Sequence, residues 1–225
     1  MCFSATASFG ASGLLLATGI VTLSKVKDSK HIAFASTPLL FSIQQFSEGM
    51  IWQFLPEAQL ATCQQISTYV FITFGQSFWP LWVPFSLLLI EKNPMRKIIL
   101  SLLLGTGGLV SAYLCYLSLQ HKVSAELINH HIFYHFNYRD PLVEKYSWIY
   151  LIPAVLPNFV SSLKSVQLIG VLTLFSFLLS RILFSSYVFS TWCFFSALIS
   201  VLIFFTIRSL NKIPQQKNAE VSKKA

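Results

Sequence analysis

The chain has 225 residues, of which 54% are hydrophobic and only 11% charged, against about 25% charged in a soluble domain of this size. With a mean hydropathy of +0.63, it has too few polar residues to cover a water-soluble globule. The net charge of +8 comes from short basic runs between long apolar stretches. That placement excludes a nucleic-acid-binding face and fits an orientation signal for a membrane protein.

Seven stretches approach the roughly 20 apolar residues that a spanning helix needs. The first covers about Ala5 to Ser24 and stops at Lys25, Lys27, Asp28 and Lys30. It has no basic leader, so it is read as a helix and not a signal peptide. The second, about Ile32 to Leu55, ends at Pro56-Glu57, and the third, about Ile66 to Ile90, closes with Glu91-Lys92-Asn93-Pro94. The fourth runs from about Ile98 to Leu119. A polar stretch to Lys145 separates it from the fifth, about Tyr146 to Ser162, which Pro153 and Pro157 interrupt. Lys164 precedes the sixth, about Val166 to Phe184, and the seventh spans about Val188 to Ile207.

The expected fold is therefore all-α. It is a polytopic transmembrane bundle of seven helices over residues 1–210, with a disordered cytoplasmic tail over 211–225. With the N-terminus outside and the C-terminus inside, twelve of the 16 Lys and Arg residues fall on the cytoplasmic side, as the positive-inside rule requires. Removing any one helix reverses every later loop and spoils that split. The expected location is the cell membrane, a bacterial inner membrane on the resemblance given below, with the lipid bilayer as the first partner and no nucleic acid. Tyr146, Trp148 and Tyr150 read as an interfacial aromatic belt.

Small residues recur every four positions in the first helix, at Ser4, Ser8 and Ser12 and at Ala7 and Ala11. That spacing lets a neighbouring helix approach closely. Gly105, Gly107 and Gly108 offer the fourth helix the same opportunity.

Glu48 is the only carboxylate well inside a predicted span, on one face with Gln44 and Trp52 and beside Gln45. An ionised acid there costs roughly 2.5–3.5 kcal/mol on insertion scales, so it needs a partner. Counting at 1.5 Å per residue puts Arg181 of the sixth helix at a similar depth. A Glu48–Arg181 ion pair is one expectation. If Arg181 snorkels outward instead, Glu48 is held by Gln76 and tyrosine hydroxyls, or is protonated. The functional expectation is an outward-facing polar pocket around Glu48. Its candidate lining is Gln44, Gln45, Trp52, Gln76, Tyr113, Trp192 and Ser4, with Ser8, Tyr69, Thr73 and Tyr116. It would bind, sense or transport a small polar or cationic ligand, or a proton. The alternatives are an intramembrane lipid-modifying enzyme and a structural membrane partner with no small-molecule ligand. The first is disfavoured because no histidine lies within a span. No catalytic residue and no cofactor are expected.

The loop 120–145 holds Ile128 to Arg139, which alternates apolar and polar residues as a half-wet strand does. Ile128, Ile132, Tyr134 and Phe136 fall in one set, and His131 and His135 in the other. The loop is expected as a short β-hairpin with Lys122 to Leu127, or as an interfacial segment. His131 and His135 are the candidate metal ligands. They lack an obvious third donor, and no metal is expected. The four cysteines show no metal-ligand spacing.

Four segments together resemble an uncharacterised bacterial family of small multi-pass membrane proteins. They are the opening Met-Cys-Phe-Ser-Ala-Thr-Ala-Ser-Phe, the run Gln44-Gln45-Phe46-Ser47-Glu48-Gly49 with Trp52, Trp79-Pro80 with Pro84 and Glu91, and Ser190-Thr191-Trp192-Cys193-Phe194-Phe195. The resemblance implies a multi-pass membrane fold and a bacterial source, and it brings no activity.

Overall fold

The computed structural model describes residues 4–128, 130–137 and 147–212. The expectations for Lys145, Tyr146, the side chain of Trp148 and the tail beyond residue 212 lie outside the described residues. The chain is mostly helical, with seven helical rods and one small antiparallel sheet.

Rod one is α1 (Ala5–Ser24), begun by Ser4, whose Oγ accepts the Ala7 amide at 3.1 Å. Its buried face carries Ser8, Ala11, Ser12 and Gly19, so the small-residue stripe does face a partner. Rod two is α2 (Ile32–Ala35) followed by α3 (Thr37–Phe54). The break at Ser36 follows from Pro38, which cannot donate to the carbonyl four residues back. α1 packs along α3. Ser12 Oγ donates to the Ser42 carbonyl and Ser42 Oγ to the Ser12 carbonyl, both at 2.9 Å. A Cβ on Gly19 would lie 2.8 Å from the Leu39 amide nitrogen.

Rod three is α4 (Ala61–Ile72), a π-helical turn (Thr73–Phe78) and α5 (Trp79–Ile90). Pro80 removes the donor for the Gln76 carbonyl, and the widened turn accommodates the mismatch. Pro84 frees the Pro80 carbonyl in the same way. Rod four is the 27-residue α6 (Pro94–Gln120), whose cap Asn93 accepts from the Met95 and Arg96 amides. At Gly107, α6 lies against that freed Pro80 carbonyl: a Cβ there would stand 2.0 Å from the oxygen and 3.2 Å from Pro153 Cβ. Gly105 faces open space and Gly108 makes ordinary contact, so only one of the three glycines serves close packing.

Rod five is α7 (Ser147–Val160), the shortest, with Pro153 and Pro157 inside it. Rod six is α8 (Lys164–Leu183). Rod seven is α9 (Val188–Ile199) continued by α10 (202–212). α7 packs against α5, α6 and α8, while α9 packs against α8, α1 and α3.

Between rods four and five, β1 (Val123–Ile128) and β2 (His131–Phe136) pair antiparallel, with Val123 opposite Phe136 and Ile128 opposite His131. The hairpin alternative is the one formed. Val123, Ala125, Ile132 and Tyr134 are buried against Ile51, Phe71 and Ile72. One assignment needs correction. Ile128 faces the same side as its partner His131, not the side of Ile132, because the turn at His130 (φ 60°) resets the alternation.

Four helical stretches are long and apolar enough to cross a membrane: Ala5–Ser24, Pro94–Gln120, Lys164–Leu183 and Ser185–Lys212, the last comprising α9 and α10 together. Rods two and three are not among them, rod two carrying Gln44, Gln45 and Glu48 within α3, and rod five is an apolar helix that is too short. The outward faces are apolar, with Leu109, Leu119 and Ile182 each at least 75% exposed. The interior holds Ser8, Gln44, Gln45, Glu48, Ser180 and Thr191 at 0%. A single apolar cluster of Phe34, Ile90, Leu100, Val166 and Ile207, joined by Leu23 and Leu163, gathers the ends of odd rods and the starts of even ones. The rods therefore run alternately up and down.

Candidate functional site

Glu48 sits in the middle turns of α3, fully buried. Ser190, in the first turn of α9, donates its hydroxyl to Glu48 Oε1. Beside the Gln45 side chain, Glu48 Oε2 has no hydrogen bond of ordinary geometry among the described residues. The same is true of Gln44 Nε2, both side-chain polar atoms of Gln45, Trp52 Nε1 and Ser8 Oγ. Gln44 is oriented by Trp79, whose indole N–H donates to Gln44 Oε1 at 2.8 Å while its ring stacks on Phe41 at 3.9 Å. Ser8 belongs to this level of the bundle. Ser12 meets Ser42, and Phe9 meets Gly49, so Ser8 on the same face of α1 lies beside the Gln45–Gly49 turn.

The expected Glu48–Arg181 pair is not formed. Arg181 is exposed on α8, an element that packs on α7 and α9 and not on α3. Equal depth did not bring equal facing. Of the fallback, the holding by Gln76 is not seen: Gln76 Oε1 accepts from Ser118 at 3.0 Å, and the partner of Glu48 is Ser190. Ser190 stood in the Ser190–Phe195 run, and the depth count applied to Arg181 would have reached it equally well.

Beside this cluster lies a cavity of about 720 Å³ bounded by α6, α7, α8, α9, the π turn and the hairpin. Of the candidate pocket residues it is lined by Gln76, Tyr113 and Trp192, together with Arg181. Glu48, Gln44, Gln45, Trp52 and Ser4 do not line it, nor do Tyr69, Thr73 and Tyr116. Ser4 acts as the α1 cap. Ser190 lines the cavity and donates to Glu48, so the cavity meets the packed Glu48 cluster at one hydroxyl and does not itself reach the carboxyl. A second cavity of about 80 Å³ lies deeper and shares Tyr150, Trp192 and Cys193 with the first. Tyr150 donates to the Gly75 carbonyl at 2.5 Å, inside the π turn. Trp192 Nε1 donates to the Thr173 carbonyl at 3.2 Å. These bonds fix the wall between the cavities. Tyr150, read from sequence as an interfacial aromatic, is one of its parts.

The two candidate metal ligands have separate roles. His135 Nε2 lies 2.8 Å from Glu126 Oε2 across the hairpin, and His131 stacks on Tyr187 at 4.4 Å. No group of three His, Cys, Asp or Glu side chains is poised for a metal among the described residues.

At the opposite end of the bundle, Glu91 caps α5 and is 4% exposed. Its Oε1 accepts the Lys92 and Asn93 amides at 2.9 Å and the Ser162 hydroxyl at 2.6 Å; its Oε2 accepts the Ser162 amide at 2.7 Å. Burial works to raise the pKa of this carboxyl. The hydrogen bonds from Ser162, Asn93 and Lys92 outweigh it and hold the group below its ordinary value. Arg96 adds a bond to the Val160 carbonyl at 2.9 Å. This end is a built junction between rods three, four, five and six.

The fold and site define a helical bundle with an apolar exterior, a polar interior and an acid, Glu48, buried in its middle. The chain belongs to a family of unknown function, DUF6629, whose profile matches residues 1–219. No curated protein and no solved structure matches it.

Proposed function

We propose that this is a multi-pass protein of a bacterial cell membrane. All seven rods span, the N-terminus faces outward and the C-terminus the cytoplasm. Among the described residues, nine Lys and Arg residues cluster at the Glu91 end, from Lys25 to Lys212, and two, Lys122 and Arg181, at the hairpin end. That asymmetry supports putting the Glu91 end inside.

On this reading the protein binds a proton or a small polar ligand at Glu48, from a pocket that opens outward. A single observation carries it: among the described residues, the Oε2 of a fully buried Glu48 has no partner and lies within a group of other unpartnered polar atoms. Buried polar atoms in a finished core have partners, and leaving one orphaned costs about 1–3 kcal/mol. Several orphans together point to an occupant. Gln44 Nε2, Gln45 Nε2 and Trp52 Nε1 are N–H donors, which a bare metal cation cannot use. Glu48 Oε2, Gln45 Oε1 and Ser8 Oγ accept. A proton held with water, or a small molecule offering both donors and acceptors, satisfies the set. A purely structural role would fit the complete burial of Glu48 but not the orphaned atoms.

The test uses the protein in lipid nanodiscs. Trp52 and Trp79 flank Glu48 and report on it by fluorescence. Wild type should show a pH-dependent change that is absent in Glu48→Gln, while the melting temperatures remain close. A response that survives the substitution refutes the proposal.

A further inference from the structure

We infer that the 720 Å³ cavity holds one acyl chain of a membrane lipid whose anionic headgroup is bound by Arg181. The inference goes beyond the Glu48 reading and stands apart from it. Its walls are mostly hydrocarbon and aromatic, including Val110, Leu114, Phe136, Phe177 and Phe189. Arg181 is the only charged residue lining it among the described residues. The one ion pair among the described residues is His135–Glu126, so no described carboxylate neutralises Arg181. Ser185 and Ser186, which also line the cavity, bring hydroxyl donors to the same rim. An unneutralised guanidinium beside two hydroxyls is a recognition set for phosphate or carboxylate, which Arg binds in a two-pronged fashion.

The level in the bundle agrees. Arg181 lies in the last turn of α8, within three residues of the helix end at Leu183. In a spanning helix that is the depth of lipid headgroups, where a long basic side chain places its charge at the interface. The apolar wall runs inward from it to Trp192 and Cys193, along the direction of an acyl chain. A soluble anion would use Arg181 and leave the apolar volume unexplained. A neutral lipid would fill the volume and leave the guanidinium unpaired. An anionic lipid accounts for both.

The experiment places the protein in nanodiscs of unlabelled phosphatidylcholine doped with a minor fraction of either phosphatidylglycerol or phosphatidylcholine carrying brominated acyl chains. Bromine quenches tryptophan at contact, and Trp192 lines the cavity. Wild type should be quenched by the brominated anionic lipid at about tenfold lower mole fraction than by the zwitterionic one. In Trp192→Phe that selective component should vanish, which assigns it to the cavity. Arg181→Gln should abolish the preference and Arg181→Lys should retain part of it. Val110→Phe, which fills the cavity and leaves Arg181 in place, should reduce quenching by both lipids. Glu48→Gln should leave the preference unchanged, so failure here and failure of the Glu48 reading are separate results. Equal quenching of wild type by the two lipids, or a preference that survives Arg181→Gln, overturns the inference.

Discussion

Gly107 and Gly105 stand two residues apart on α6, and the structure assigns their alanine variants opposite signs. In a helix interior, Gly→Ala gains up to about 1 kcal/mol from propensity alone. At Gly105 nothing lies within 4 Å of the added Cβ, so Gly105→Ala should stabilise by up to that amount. At Gly107 the methyl would sit 2.0 Å from the Pro80 oxygen and 2.9 Å from its carbonyl carbon. A carbon approaches a carbonyl oxygen no nearer than about 3.3 Å in ordinary weak contact, so the backbones must part by roughly 1.3 Å. The obstacle is backbone held between two prolines, with Pro153 behind, and no rotamer change relieves it. Overpacking costs about 1–3 kcal/mol, here at the upper end, and the propensity gain offsets about 1. Gly107→Ala should therefore destabilise by about 2 kcal/mol, and the two variants should differ by about 3. Reversible unfolding in mixed micelles, followed by far-ultraviolet circular dichroism, measures both. Equal stability of the two variants would refute the three-rod contact.

The Glu91 junction predicts a pH dependence. Its folded pKa lies below the ordinary value of 4.5, so its contribution is fully present above that pH and is lost as pH falls through the folded value. The stability difference between wild type and Glu91→Gln should be constant at neutral pH and shrink below about pH 4.5; a pH-independent difference in thermal melts would contradict it. Tyr150→Phe removes the donor to the Gly75 carbonyl and should cost about 1–2 kcal/mol in the same micelle unfolding, with no change in helix content. A neutral result would mean that the π turn satisfies its own carbonyl.

Much of the fold was legible because the punctuation is physical. Lys25, Pro56, Asn93-Pro94 and Lys164 mark changes of environment or lost donors, and the rods begin or end within a few residues of them. The hairpin was legible from alternation, up to the turn, where the phase of Ile128 could not be carried across. The π turn was not. Pro80 and Pro84 announce a kink, but two missing donors can be absorbed by a bend, a break or a wider turn. The choice depends on what approaches the freed carbonyls: Tyr150 at Gly75 and Gly107 at Pro80, both from other rods.

The site was legible by residue type but not by direction. Chemistry alone singled out Glu48, because few acids are placed among apolar helices without a reason. Depth then offered Arg181, and depth is only one of the two coordinates that bring side chains together. The other is the angle around the bundle, fixed by which rods are neighbours. Besides α2 of its own rod, α3 packs chiefly on α1, α4 and α9, so a partner for Glu48 had to come from a neighbouring rod, and Ser190 of α9 supplies it. A hydroxyl can share one carboxylate oxygen but cannot neutralise a charge, so choosing serine over arginine leaves the second oxygen unsatisfied. The angular arrangement that removes Arg181 from Glu48 also leaves both groups available. Among the described residues, one is an acid in the interior with an open oxygen and the other a cation at the cavity rim with no counter-ion. An ion pair between them would have consumed both in holding two helices together, and their separation is what makes each a candidate for binding something else.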